Sequence, residues 1–268
     1  MGKLDGKVAM VTGAGRGLGR SYAKRVAALG AKVAVTDVDL KSYREFEAEA
    51  QSMEADSTIA EIEAIGGIAL GFEMDVTDRQ AVERTVGQIR DAWGRIDILV
   101  ANAGGGRGQP DKTKASTLDP ELLDFVVRTN LFGTIHCCTA VAAIMKEQRA
   151  GKIITVGSIA GSSPSREGIY AHYGATKAAI AHYTRFLAQD VGPFGITANC
   201  IAPGLIATGR IMQNVLPGNM GPGDPTSLIS LRRLGTVDDC SNVIEFLATD
   251  LSDYVNGAVI PVDGGIMR

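Results

Sequence analysis

Two side chains four residues apart carry the clearest chemistry in the sequence. Tyr173 and Lys177 lie within residues 173–177 (YGATK), and on a helix this spacing puts the phenol and the ammonium group on one face. The pKa of a free tyrosine is about 10, too high for a base at neutral pH, and a neighbouring cation lowers it. The pair therefore suits the exchange of a proton with an alcohol or alkoxide oxygen. An ordinary surface pair at helical spacing is the alternative.

Two further polar residues belong to the same candidate site. Ser158 follows the β-branched run Ile153–Val156, and a hydroxyl at the carboxyl end of a strand can orient a carbonyl or alkoxide oxygen. Asn130 lies in the apolar helical stretch Phe125–Cys138, where an unpaired amide is costly. A bound water linking the lysine to solvent accounts for Asn130, and so does a structural set of hydrogen bonds. The sequence leaves both readings open.

A glycine-rich turn follows the first apolar run of the chain. Gly13, Gly17 and Gly19 form a GxxxGxG pattern, because Leu18 stands where the GxGxxG fingerprint has its third glycine. Between a strand and a helix, such a turn brings backbone N–H groups close to a pyrophosphate. The turn therefore predicts a bound dinucleotide, with a plain tight turn as the alternative.

Two residues near this turn bear on which dinucleotide binds. Asp37 closes the second predicted strand, about 20 residues beyond the glycines, where a carboxylate accepts hydrogen bonds from ribose hydroxyls and repels a 2′-phosphate. Arg16 favours the opposite preference, since its guanidinium could pair with that phosphate. Asp37 weighs more because it is followed by Val38 and not by a second arginine. NAD is therefore predicted over NADP. A strand-end cap is the other interpretation of Asp37.

Short β-branched runs alternate with longer amphipathic stretches along the whole chain. Strands are predicted near Val8–Val11, Val33–Thr36, Ala69–Met74, Ile98–Ala101, Ile153–Val156, Thr197–Ile201 and Ala258–Val262. Helical patterns include Leu18–Leu29, Arg79–Trp93, Glu121–Lys146 and Thr176–Val191. This alternation predicts an α/β fold of the Rossmann type, a doubly wound, mostly parallel seven-stranded sheet with helices on both faces. Residues 1–268 are expected to form one dinucleotide-binding and catalytic domain.

Composition narrows the possible partners. With a net charge of −3 and no basic stripe, the chain is not expected to bind nucleic acid. The sequence contains neither a membrane-length apolar run nor a signal-peptide core, so a cytoplasmic protein without a membrane partner is expected. The four cysteines, Cys137, Cys138, Cys200 and Cys240, lie in apolar stretches without metal-ligand spacing, which predicts buried thiols and no metal site.

Two segments are longer than such a fold needs. The charged stretch Lys41–Glu63 exceeds one ordinary crossover helix, and its role is left open. A second stretch, between Pro203 and Leu234, includes a candidate substrate loop around residues 205–230. Its apolar side chains, which favour an apolar substrate, are Leu205, Ile206, Ile211, Met212, Val215, Leu216 and Met220.

Together these features resemble the short-chain dehydrogenase/reductase family over nearly the whole chain. The matching pieces are the turn Thr12–Gly19, Asp75, Asn102-Ala103-Gly104, Asn130, Ser158, Tyr173 with Lys177, and Pro203-Gly204 followed by Thr208. The resemblance implies that Tyr173 is the acid/base, that Lys177 lowers the pKa of Tyr173 and binds the nicotinamide ribose, and that Ser158 orients the substrate. It also implies that Asn130 holds a water molecule that links Lys177 to the solvent.

The resemblance also distributes the cofactor over the carboxyl edge of the sheet. It places Asp75 and Val76 at the adenine, Asn102 near the adenosine ribose, and Ile206 and Thr208 at the nicotinamide carboxamide. The remaining cofactor-binding candidates are Gly13, Arg16, Gly17, Leu18, Gly19, Asp37, Ala103, Gly104, Tyr173, Lys177, Pro203 and Gly204. Taken alone, the residues after the third and fourth strands are equally compatible with simple turns. The tail Gly257–Gly265 resembles a last strand that packs against another subunit, which implies a homotetramer.

The sequence departs from the family pattern at two places, and the second concerns the substrate pocket. Ala101 stands where the family often has a second asparagine, and the interval between Ser158 and Tyr173 is longer than usual. The loop Ser162–Ile169 is therefore expected to bulge.

The leading hypothesis is hydride transfer between NAD(H) and an apolar secondary alcohol or ketone. An NADPH-dependent 3-oxoacyl thioester reductase and a dinucleotide-binding regulatory protein are the alternatives.

Overall fold

Seven parallel strands form the centre of the structure, a computed structural model that describes residues 2–165, 167–215 and 224–266. The strands are β1 (Val8–Thr12), β2 (Lys32–Asp37), β3 (Ile68–Glu73), β4 (Ile98–Ala101), β5 (Gly151–Val156), β6 (Ile196–Pro203) and β7 (Val259–Val262). Their order is β3-β2-β1-β4-β5-β6-β7, with every neighbouring pair parallel. The chain winds outward from β1 in both directions, which confirms the doubly wound Rossmann-type fold.

Helices cover both faces of this sheet. In chain order they are α1 (Gly17–Ala28), α2 (Glu47–Gln51), α3 (Thr58–Ala64), α4 (Arg79–Trp93), α5 (Pro120–Val126), α6 (Gly133–Gln148), α7 (Ala171–Val191) and α8 (Val237–Ala248). One buried cluster joins α1, α3 and α8 to the sheet through residues such as Tyr22, Ile62 and Ile244. A second joins α4, α6 and α7 to the opposite face through residues such as Ile89 and Val141. Both faces of the strands are therefore apolar, as parallel sheets require.

Most predicted elements are confirmed within a few residues, and two differences concern the site. The predicted helix Glu121–Lys146 is divided by a π-helical stretch, Val127–Phe132, that contains Asn130. Helix α7 begins at Ala171, five residues before the predicted start at Thr176, so Tyr173 and Lys177 share one helix. The amphipathic pattern missed residues 171–175 because Tyr173 puts a polar group on the face of this turn that points inward.

The long stretch Lys41–Glu63, called the inserted segment below, folds against α1 and the glycine turn. It forms a 3₁₀ turn at Ser42–Glu45 followed by α2 and α3. Arg20 of α1 donates to both carboxylate oxygens of Glu61, and the Thr58 hydroxyl donates to the Ala14 carbonyl oxygen at 2.8 Å. The segment is therefore fixed to the wall of the cleft where a dinucleotide is expected.

The described residues bear on two other predictions, and part of a third prediction falls outside them. None of their helices combines the length and the apolar character needed to cross a bilayer. All four cysteines are free thiols and are buried, as predicted. Two residues of the predicted apolar loop, Leu216 and Met220, lie outside the described residues.

Candidate active site

Helix α7 and the end of β5 bring the predicted catalytic residues together. Ser158 follows β5, and its hydroxyl caps the short 3₁₀ turn Ile159–Gly161 by accepting the Ala160 N–H at 3.2 Å. The same side chain also acts on Tyr173 of α7, where it favours the phenolate form. Lys177, one turn further along α7, is 4% exposed and places Nζ 5.8 Å from the centre of the Tyr173 ring. Phenol, ammonium and hydroxyl groups thus share one site at the carboxyl edge of the sheet.

Burial dominates the protonation equilibria of this site. It lowers the pKa of Lys177 to about 8, although Nζ donates a hydrogen bond to the Val156 carbonyl oxygen at 2.7 Å. Burial also raises the pKa of Tyr173, while Ser158 and the charge of Arg210 act in the opposite direction. The expectation that Lys177 lowers the pKa of Tyr173 stays a prediction, because burial outweighs the protein groups that favour the phenolate. A buried phenol favours its neutral form unless a further positive charge stands beside it.

Asn130 is fully buried and has protein partners for both ends of its amide. Its Oδ1 accepts the Gly105 N–H at 2.9 Å, and its Nδ2 donates to the Thr176 hydroxyl at 3.0 Å. The side chain ties the π-helical stretch to α7 and to the loop after β4. This arrangement matches the structural alternative for Asn130. The Thr176 hydroxyl in turn donates to the Tyr173 carbonyl oxygen at 2.9 Å, so these hydrogen bonds reach the backbone of Tyr173.

Arg210 is a residue of the cleft that the sequence did not single out. Its guanidinium donates to the Gly104 carbonyl oxygen at 3.3 Å, and its charge acts on both Tyr173 and Lys177. Gly105 gives it room, because a Cβ at that position would collide with the guanidinium. Nothing in the local sequence marks Arg210, since the contact joins two segments that are more than a hundred residues apart in the chain.

The glycine turn has the conformation that a dinucleotide site needs. Gly13 has φ of +63°, and a Cβ there would lie 2.9 Å from the Cα of Ala103. The Asn102 side chain closes the turn from the other side by donating to the carbonyl oxygens of Thr12 and Gly13. Since the first N–H groups of a helix lack intrahelical partners, those of Leu18 and Gly19 are available to an anion at the start of α1.

One backbone donor of this turn is already engaged. The buried Glu49 of the inserted segment accepts the Gly17 N–H at 3.0 Å and the Gly209 N–H at 2.7 Å. Its carboxylate therefore links the inserted segment to both walls of the cleft. No sequence pattern marks this contact, because Glu49 is one of several glutamates in a charged stretch.

Asp37 and Arg16 occupy the same corner of the cleft. Asp37 is 9% exposed at the end of β2, and its Oδ2 accepts the Gly15 N–H at 2.9 Å. Burial raises the pKa of Asp37, and the hydrogen bonds and Arg16 act against that shift. Arg16 pairs with Glu45 at 2.8 Å, while its Nη1 is buried without a hydrogen-bond partner among the described residues. A buried donor and a carboxylate at the end of β2 fit the polar half of a dinucleotide.

The remaining predicted cofactor residues also lie along the carboxyl edge of the sheet. Asp75 is exposed and accepts the Thr77 N–H at 2.8 Å, which is turn chemistry, whereas Val76 is buried. Beyond β6, the Gly204 N–H donates to the Val262 carbonyl oxygen, and Ile206 is 3% exposed. Thr208 begins the segment that leads past Gly209 to Arg210. The structure thus brings the cofactor candidates together along one edge.

Comparisons with known proteins agree with this geometry. A family model described as enoyl-(acyl carrier protein) reductase matches residues 13–267. The chain belongs to the short-chain dehydrogenase/reductase family. The resemblance noted in the motifs is therefore confirmed over nearly the whole chain.

Three relatives illustrate the range of reactions around this sequence. The chain is 56% identical to a cyclohexanol dehydrogenase of Rhodococcus sp. (strain TK6), over 98% of this chain and 97% of that protein. It is 35% identical to a 3-oxoacyl-[acyl-carrier-protein] reductase of Escherichia coli (strain K12), over 98% of each. A solved structure of NAD⁺-bound xylitol dehydrogenase superposes with a TM-score of 0.86 at 29% identity, covering 98% of this chain and 100% of that one.

Proposed function

We propose that this protein is an NAD-dependent dehydrogenase of apolar secondary alcohols that also reduces the corresponding ketones. The observation that carries the proposal is the assembly of Tyr173, Lys177 and Ser158 beside the glycine turn and Asp37. The similarity to a cyclohexanol dehydrogenase supports a cyclic secondary alcohol as the substrate. The intact set of proton-transfer residues argues against a regulatory protein without turnover.

The chain's own residues divide the work of proton transfer. Ser158 holds the substrate oxygen beside the Tyr173 hydroxyl, which takes the alcohol proton during oxidation and returns a proton during ketone reduction. Lys177 contributes a buried positive charge 5.8 Å from the Tyr173 ring, which favours the phenolate. Asn130 fixes the loop against which these groups lie, and its predicted water relay stays a prediction.

Bound NAD would supply the hydride acceptor and a positive nicotinamide ring beside the tyrosine. Among the chain's groups, Asp37 would hold the adenosine ribose, and the N–H groups of Leu18 and Gly19 would face the pyrophosphate. By the same proposal, Asp75 and Val76 border the adenine, and Ile206 and Thr208 the nicotinamide carboxamide. Gly13, Gly17, Asn102, Ala103, Gly104, Pro203 and Gly204 shape the backbone around them.

Asp37 favours NAD, because a 2′-phosphate would meet a carboxylate that is nearly fully buried. The reductases of 3-oxoacyl thioesters are more distant relatives than the cyclohexanol dehydrogenase. A thioester reductase using NADPH is therefore the second candidate, and Arg16 beside the glycine turn is the observation that favours it.

A panel of substrates tests the proposal. Purified protein is assayed for NADH formation from cyclic, aromatic and aliphatic secondary alcohols, and for oxidation of NADH and NADPH by their ketones and by a 3-oxoacyl thioester. We expect the highest kcat/KM with a cyclic secondary alcohol and NAD⁺. A preference for small polar sugars would contradict the proposed apolar substrate, and efficient thioester reduction with NADPH would favour the second candidate.

The Asp37→Ala variant separates the cofactor role of Asp37 from a structural one. Its NADP⁺/NAD⁺ ratio of kcat/KM should rise by about ten- to a hundredfold, since the variant loses charge-assisted hydrogen bonds to the ribose and the repulsion of a 2′-phosphate. Asp39→Ala, an exposed carboxylate two residues on, is the control and should leave the ratio unchanged. If Asp37 is only a strand-end cap, its removal lowers thermal stability without altering the ratio.

We also propose that residues 1–268 act as one domain and assemble into a homotetramer. Three exposed phenylalanines, Phe125, Phe132 and Phe186, lie on neighbouring helical stretches, and β7 is an edge strand of the sheet. Exposed apolar side chains and unpaired strand edges are the features that subunit contacts cover. Light scattering of the purified protein is expected to give four times the chain mass, and a monomer at micromolar concentration would contradict the proposal.

A further inference from the structure

We propose that Glu45 of the inserted segment adds to the preference for NAD by holding Arg16 away from a 2′-phosphate. This inference rests on the proposed use of NAD and adds a residue to it. Arg16 is the cation beside the ribose-binding carboxylate Asp37, so its availability decides whether a phosphorylated ribose finds a counter-charge there. The inserted segment supplies the group that engages it.

Two contacts from the inserted segment hold the Arg16 side chain. Its Nη2 lies 2.8 Å from a carboxylate oxygen of Glu45, and its guanidinium carbon lies 4.5 Å from the centre of the Phe46 ring. Phe46 is only 4% exposed, so the guanidinium rests on a fixed apolar surface. The Arg16 side chain is 18% exposed. To bind a phosphate with its planar fork, Arg16 would have to leave at least the carboxylate.

The inserted segment also contacts Asp37, the carboxylate beside Arg16. The Ser42 hydroxyl donates to Asp37 Oδ2 at 3.4 Å, and a Cβ at Gly15 would run into that hydroxyl oxygen. Asp37, Glu45 and Glu49 therefore place three negative charges around Arg16, against the positive charges of Arg16 itself and of Arg210. A 2′-phosphate entering this corner would meet net negative charge, whereas the hydroxyls of an unphosphorylated ribose would not be repelled.

The expected effect is moderate because Glu45 is 61% exposed. Solvent screens an ion pair of this kind, and such pairs contribute little to folding. Their influence on a doubly charged ligand nearby is larger, since removing Glu45 both frees Arg16 and deletes a repulsive charge. The increase in affinity for the phosphorylated cofactor that follows the removal of Glu45 should also become smaller as the salt concentration rises.

Binding measurements without turnover test the inference. Dissociation constants of NAD⁺, NADP⁺ and adenosine 2′,5′-bisphosphate are measured for Glu45→Gln by calorimetry. We expect NADP⁺ and the bisphosphate to bind about three- to tenfold more tightly, with NAD⁺ within about twofold of wild type. Glu47→Gln is the matched control, because Glu47 is an exposed glutamate of the same segment that pairs with Gln51 and not with Arg16. That variant should bind all three ligands as the wild type does.

A double variant identifies Arg16 as the intermediary. Adding Arg16→Ala to Glu45→Gln should abolish the gain for both 2′-phosphorylated ligands. The inference is overturned if Glu45→Gln does not tighten their binding, if Glu47→Gln tightens it equally, or if the gain survives the loss of Arg16. Failure of the wild-type protein to bind NAD⁺ at all would instead overturn the proposed function, so the two outcomes are distinct.

Discussion

Tyr173→Phe is expected to lower kcat by about a thousandfold or more while leaving the dissociation constant of NAD⁺ within about threefold. The substitution removes one hydroxyl, the only group of this side chain that can exchange a proton with the substrate oxygen. The ring and its packing remain, so the fold and the cofactor cleft should be preserved. Steady-state kinetics with the preferred alcohol and fluorescence titration with NAD⁺ measure the two effects separately.

Tyr170→Phe is the matched control for that prediction. Tyr170 precedes α7 and is half-buried, and its replacement by phenylalanine likewise removes only a hydroxyl. In the sequence, Gly174 stands where the lysine partner of Tyr170 would be. The control variant should therefore keep kcat within about tenfold. Comparable losses in both variants, or full activity in Tyr173→Phe, would contradict the assignment of Tyr173 as the acid/base.

Lys177→Met should lower kcat by about a hundredfold or more without lowering stability at neutral pH. Methionine keeps much of the side-chain volume but removes the positive charge near the Tyr173 ring. The phenolate then loses a stabilising partner, so the rate of alcohol oxidation falls and its rise with pH moves to higher pH. A pH profile of kcat for both proteins measures this shift, and a merely structural lysine would leave the profile unmoved.

The stability of Lys177→Met has a defined sign. The folded-state pKa of Lys177 is about 8, below its ordinary value of 10.5, so the folded state disfavours the charged form. Below pH 8 the wild-type protein carries the full cost of burying the charge, up to about 3 kcal/mol. That cost declines as the pH rises from about 8 to 10.5. The variant is therefore expected to be at least as stable as the wild type at pH 7, with a difference that shrinks above pH 8.

Urea unfolding at pH 7 and pH 10 checks the sign. A variant markedly less stable than the wild type at pH 7 would show that the hydrogen bond to the Val156 carbonyl oxygen outweighs the burial of charge. Loss of activity in that case would report unfolding and not the electrostatic role of Lys177.

The sequence predicted the strands and the residues that meet in the candidate site because both depend on local patterns. Parallel strands that are buried on both faces read as apolar runs, and their carboxyl ends meet at one edge, which placed Ser158 and Asp37 correctly. The four-residue spacing of Tyr173 and Lys177 is likewise a property of one helix. These inferences required no knowledge of distant contacts.

The contacts that the sequence did not reveal join residues that are far apart along the chain. The pairing of Arg16 with Glu45, the bonds of Glu49 to Gly17 and Gly209, and the approach of Arg210 to Gly104 all join separate segments. No periodicity marks them, since each is one charged residue among many. In the sequence, Arg16 favours NADP and Asp37 favours NAD, and nothing local shows which preference prevails. The structure shows that Glu45 and Phe46 of the inserted segment contact Arg16.

The pKa of Tyr173 illustrates a different limit. Spacing predicts that Lys177 lies near the phenol, but not how strongly the surroundings exclude water. Burial raises the pKa of Tyr173 and lowers that of Lys177, so each group is poised toward its neutral form. Proximity in sequence gives the partner, whereas the balance between charge and desolvation depends on the packed environment.

Label transfer tests the central claim most directly. Cyclohexanol deuterated at the carbinol carbon is incubated with the wild-type protein and NAD⁺, and the reduced cofactor is analysed by mass spectrometry. Hydride transfer within one site predicts NADH that carries a single deuterium, formed together with cyclohexanone, and no such product with Tyr173→Phe on the same timescale. Unlabelled NADH, or no reduced cofactor with this or any other secondary alcohol of the panel, would contradict the account.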